Sequence, residues 1–133
     1  MNVVEIEGIG KAYAAKLDKA GIRTTEALLK KGATPNGRKE IAAASGISHE
    51  LIMEWVNHTD LMRVKGVAGE YSDLLEEAGV DTVVELSKRV AENLYNKLSE
   101  VNQAKNLVNK LPGPKQVKNW IEQAKKLPRV VTY

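Results

Sequence analysis

Apolar residues recur along this chain at helical intervals. Ile9, Tyr13 and Leu17 stand four residues apart on one helical face, and Gly21 follows where a helix end favours positive φ. Thr24 is placed to cap the next helix, which Glu26 and Leu28-Leu29 continue. Further on, Thr82-Val83-Val84-Glu85 has the residue types of a capping box. Gly32 and Gly46 are expected to stop the second and third helices of the first half. Thr34-Pro35-Asn36-Gly37 and Leu111-Pro112-Gly113-Pro114 each mark a turn that opens a new helix. No segment sustains strict apolar–polar alternation, so the pattern predicts short helices and no sheet.

The same pattern occurs twice. Residues 6–33 align without gaps to residues 64–91 at an offset of 58, with nine of the 28 positions identical. The identities include Gly8/Gly66, Tyr13/Tyr71, Leu17/Leu75, Gly21/Gly79, Thr24/Thr82 and Leu28/Leu86, and Ile pairs with Val at three more positions. Glycines and periodic apolar residues are the positions a shared fold would retain, so the two halves read as a duplication. Ile52-x-x-Trp55-Val56 matches Val117-x-x-Trp120-Ile121 at an offset of 65, which places an insertion of about seven residues around 92–110. The first unit is then 1–60 and the second 61–133. No flexible linker separates them, so a fixed interface and one compact body are expected.

Two segments carry the most specific signal. Ile6-Glu7-Gly8-Ile9-Gly10-Lys11 and Val64-Lys65-Gly66-Val67-Ala68-Gly69 both place glycine between apolar residues just ahead of a helix. Glycine permits unusual backbone angles there, and the helix start offers unpaired N–H groups and the positive end of its dipole. A phosphate can be held by such a turn without any reading of sequence. Over residues 6–56 and 64–126 the chain resembles the helix-hairpin-helix superfamily, in particular a group catalogued as a domain of unknown function. That resemblance implies an all-α fold of two tandem, paired helix-hairpin-helix (SAM-like) units, and it raises nucleic-acid binding as an expectation. Ser45-Gly46-Ile47-Ser48 and Leu111-Pro112-Gly113-Pro114 would be the second hairpin of each unit. The motif is uneven: Ala68 stands where the first copy has Gly10, and Ser48 and Pro114 take that place in the other two. Pro114 has no N–H to donate. Glu7 beside the first hairpin would repel a phosphate, whereas Lys65 beside the second would attract one. Two readings stand: hairpins kept for packing alone, and hairpins that contact phosphate.

Charge sharpens the contrast between the halves. The chain has a net charge of +3, yet residues 1–60 carry eight Lys or Arg against eight Asp or Glu. Residues 97–133 carry eight Lys or Arg against Glu100 and Glu122. Such a bias suits a polyanion-binding face and equally a solvated helix. Lys115 and Lys118 fall at the start of the last helix, where cations oppose the helix dipole unless an anion binds.

Other chemistry is thinly supported. With no Cys, a disulfide framework, a thiolate zinc site and a Cys nucleophile are excluded. His49 and His58 are nine residues apart, which is not a helical metal-ligand spacing. Glu76, Glu77 and Asp81 cluster, but Asp18, Lys19 and Arg23 hold their register positions, so a solvated face is the expectation. Trp55, Trp120, Tyr13 and Tyr71 repeat at helical spacing and are expected in the cores. Apolar runs are far shorter than the roughly 18–20 residues of a membrane span, and Met1-Asn2-Val3-Val4-Glu5 lacks signal-peptide character. The expectation is a cytoplasmic, non-enzymatic protein with no catalytic residues, metal, cofactor or small-molecule substrate and no membrane. Its partner is nucleic acid, DNA in the first place, bound through Gly8, Gly10, Lys11, Lys65, Gly66, Gly69, Lys115 and Lys118. The alternative is a protein–protein adaptor or scaffold on the same fold.

Overall fold

The computed structural model describes residues 1–133 as an all-helical chain of eight α-helices without a strand. It divides into two compact units, Met1–Asp60 with Val130–Tyr133, and Leu61–Arg129. No helix is long and apolar enough to cross a membrane.

In the first unit a 3-10 turn at Val3–Glu5 precedes α1 (Lys11–Lys19), α2 (Thr25–Gly32), α3 (Pro35–Ser45) and α4 (His49–Leu61). One antiparallel bridge joins Asn2 to Thr24. Helix α1 closes in a reversal at Gly21, φ +80°, with Ile22 N–H donating to Leu17 C=O at 2.9 Å and Gly21 N–H to Asp18 C=O at 2.9 Å. This is the arrangement in which a left-handed residue satisfies the last carbonyls of a helix. Thr24 accepts from Ala27 N–H at 3.1 Å and Thr34 from Gly37 N–H at 3.1 Å, so each starts its helix. Leu17, Leu28, Ile41, Ile52, Trp55 and Val56 form the buried interior, each worth about 1.5–3 kcal/mol of transfer free energy.

Gly32 ends α2 as its position suggests, but not by a left-handed reversal. It is the last helical residue of α2, followed by Ala33 in right-handed helical angles, so it does not reverse the chain. A Cβ there would lie 2.4 Å from Val56 Cγ2, so close helix packing explains this glycine. Gly37 is held more tightly still, with Lys31 C=O 1.8 Å from where its Cβ would be. Arg38 is buried and donates to Gly32 C=O at 2.8 Å and Thr132 C=O at 2.7 Å. Thr132 N–H donates to Ala33 C=O at 2.8 Å, which fixes the final residues on this unit. Burial pulls the Arg38 guanidinium below the ordinary arginine range, and Tyr133 opposes that shift.

The second unit contains α5 (Gly69–Glu77), α6 (Val83–Ser87), α7 (Ala91–Lys105) and α8 (Pro114–Lys126). Its core joins Leu74, Leu75, Val80, Leu86, Leu94, Leu98, Val117 and Trp120. The reversal at Gly79, φ +92°, repeats the one at Gly21, with Val80 N–H donating to Leu75 C=O at 2.9 Å. Thr82 accepts from Glu85 N–H at 3.4 Å, but the Glu85 carboxylate accepts from Asp81 N–H at 3.2 Å, one residue before the cap expected from the capping-box pattern. Most of the extra length falls after α7, where residues 106–113 replace the three residues between α3 and α4. Asn106, φ +51°, ends α7, and the Asn102 amide bonds both N–H and C=O of Val108 at 3.0 and 3.2 Å. Gly46 is left-handed, φ +74°, whereas Gly113 is extended, φ −72°. The two expected second hairpins therefore differ in backbone, because in the second unit Asn106 takes over the helix reversal.

Candidate functional site: the two glycine turns

Residues 6–9 and 64–67 form the same four-residue turn. Ile9 N–H donates to Ile6 C=O and Val67 N–H to Val64 C=O, each at 3.1 Å. Gly8 and Gly66 occupy the third place with φ of +90° and +95°, which only glycine adopts readily. The apolar ends of both turns are buried, leaving Glu7-Gly8 and Lys65-Gly66 exposed at the tips. A tryptophan backs each tip. A Cβ on Gly8 would lie 3.8 Å from Trp55 Nε1, and one on Gly66 would lie 3.1 Å from Trp120 Nε1. Each tryptophan meets the equivalent tyrosine, Tyr13–Trp55 at 5.1 Å and Tyr71–Trp120 at 5.3 Å between ring centroids. The tryptophans are buried, as expected, with the tyrosines half-buried beside them.

The unevenness of the second glycine proves harmless to geometry. Gly10 (φ −86°) and Ala68 (φ −104°) are both extended residues that precede a helix, and neither conformation requires glycine. Alanine in the second copy therefore does not degrade the turn, a correction to the reading from Gly-x-Gly alone. Lys11 and Gly69 are the first residues of α1 and α5. The intrahelical ladders begin with Ala14 N–H to Gly10 C=O and Ser72 N–H to Ala68 C=O, so the N–H groups of residues 11–13 and 69–71 have no intrahelical acceptor.

The second turn carries a device that the glycine pattern did not reveal. The Gln123 side chain accepts from Lys65 N–H at 2.9 Å and donates to Lys65 C=O at 3.2 Å. It is steadied by Asn119, whose Oδ1 accepts from Gln123 Nε2 at 2.7 Å. Both partners lie on α8, so the last helix of the unit fixes the peptide bearing Lys65. At the offset of 65 the first unit has His58 and Glu54 at these places. Carrying the tryptophan alignment three residues further would have exposed that change.

Within the second unit the candidate residues do not form one face. Lys65 and Gly66 share the second turn with Gly69 just beyond it, and Gly8, Gly10 and Lys11 have the same arrangement in the first. Lys115 and Lys118 lie elsewhere. Gln116 is the α8 residue beside the turn, with Nε2 3.8 Å from a Cβ on Gly66. At about 100° of rotation per residue, Lys118 is on nearly the opposite side of the helix. Lys115 and Lys118 instead line a groove with Ala91, Glu92 and Tyr95. Lys11, Lys65, Lys115 and Lys118 are all exposed and enter no ion pair. The second unit has twelve Lys or Arg against nine Asp or Glu, the first eight of each.

A family model described as a domain of unknown function (DUF4332) matches residues 7–127. The chain belongs to that family. No curated protein matches it, and no solved structure matches it.

Proposed function

For this member of the family, we propose a non-enzymatic, cytoplasmic module that holds nucleic-acid backbone, DNA first, with its second unit making the main contact. In this reading the glycine turns are helix-hairpin-helix-type elements and the two units are tandem copies. The observation that carries it is Lys65: an unpaired, exposed cation at the tip of a turn whose own peptide is clamped by Gln123. A preorganised turn loses little conformational entropy when a phosphate arrives. The N–H groups at the start of α5 lie immediately beyond, where they can add donors to the phosphate. The first unit offers Glu7 at the same place, so its turn serves packing.

Such contacts read no bases, so affinity depends on salt more than on sequence. Titrating duplex DNA of several sequences across a salt series should give linear log–log plots of similar slope. Absence of binding at about 50 mM salt, where phosphate contacts are strongest, removes the proposal.

A further inference from the structure

The first turns of α7 and α8 enclose a groove of about 310 Å³, lined by Ala91, Glu92, Tyr95, Pro114, Lys115 and Lys118. Each helix contributes its residues at i, i+1 and i+4, so the groove is about one helical turn long. Tyr95 packs against the core of the unit and is half-buried while it lines the groove. Lys115 and Lys118 stand on the α8 wall, exposed and without an ion-pair partner, against the single acid Glu92.

We propose that this groove is a slot for one nucleobase of a single-stranded nucleic acid. Tyr95 supplies the stacking ring, and Lys115 and Lys118 take the phosphates on either side. The slot rests on the nucleic-acid reading above and adds to it a strand type and a second place of contact. Its volume is at the small end of ligand pockets, right for a flat ring system and too short for a docked helix, whose anchors span two turns. Any base offers a π-face to an aromatic ring, so the slot tolerates every sequence. Residues three apart on a helix have Cβ atoms about 5–6 Å apart, which sets the two ammonium groups along one backbone. In a duplex the bases are already stacked and paired, so the slot selects the single strand.

The test uses the full chain at low salt with three titrants beside duplex DNA. One is oligothymidine of roughly ten nucleotides. The second is the same sugar–phosphate chain without bases, and the third an acidic peptide carrying one tryptophan. The base-free chain should bind roughly tenfold more weakly than oligothymidine, the loss of one stacked base. Tyr95→Ala should bring oligothymidine to the base-free level, while Tyr95→Phe keeps wild-type affinity. The base-free arm needs no variant, so it stands even if Tyr95→Ala loosens the core. Equal binding of the two oligomers overturns the slot and leaves the backbone reading intact. Failure of both oligomers and of duplex DNA removes the reading on which the slot rests. Binding of the peptide alone, lost in Lys115→Ala with Lys118→Ala, overturns the slot in favour of a protein partner.

Discussion

The turn at residues 6–9 and the turn at residues 64–67 share a frame and differ at the tip. Both put glycine near φ +90°, bury the apolar residue on either side and rest on a tryptophan. The tip residue before the glycine is Glu7 in one and Lys65 in the other. The second is held by the side-chain amide of Gln123 on the last helix of its unit, where the first has His58 in register. The frame follows from sterics and burial and is the same in each copy. The charge at the tip lies outside the core and is free to diverge. Shared packing therefore says little about shared work, and the differing side chains carry the functional argument.

The largest effects should come from the shared frame. Trp55→Ala and Trp120→Ala each remove a buried ring and should cost about 3–5 kcal/mol in urea unfolding. Similar losses would support equivalent roles, and a loss under about 1 kcal/mol at either would break the comparison. Arg38→Ala comes next, at roughly 2–4 kcal/mol, because it strips the donors from Gly32 and Thr132 carbonyls and leaves a void. It also frees residues 130–133, which faster hydrogen exchange at Thr132 N–H should reveal.

Glycine replacement separates the copies more finely. Gly8→Ala and Gly66→Ala both force a side chain into left-handed backbone at about 1–2 kcal/mol. Gly66→Ala should cost more, since Trp120 Nε1 is at 3.1 Å and Trp55 Nε1 at 3.8 Å. Gln123→Ala should lose about 1–2 kcal/mol with its two bonds to Lys65 and weaken DNA binding as the tip loosens. Unchanged DNA affinity in that variant would detach the clamp from function.

Much of the frame was legible in the sequence because it rests on local chemistry. Gly21 and Gly79 announced helix ends, Thr24 and Thr82 announced helix starts, and the spaced apolar residues announced the cores. Gly32 marks the end of α2 as its position announces, but its steric constraint comes from Val56, 24 residues away, and close packing leaves no local signature. The candidate site was legible only in part. Lys65 stood out by its charge beside a glycine turn, but the Gln123 clamp spans 58 residues and depends on how α8 packs. Lys115 and Lys118 stand out by charge at the start of the last helix, but the sequence does not show that α8 turns them away from the Gly66 turn and into a groove.

The smallest structural changes test the central claim most directly. Glu7→Lys and Lys65→Glu alter exposed tips and should shift stability by no more than about 0.5 kcal/mol. Duplex DNA affinity of these two variants and the wild type, at about 50 mM salt, is the deciding measurement. With phosphate held at the second turn, Lys65→Glu should bind roughly tenfold more weakly, with a salt slope shallower by about one, and Glu7→Lys should bind more tightly. Identical affinities and slopes for all three proteins would contradict the account and leave both turns as packing elements alone.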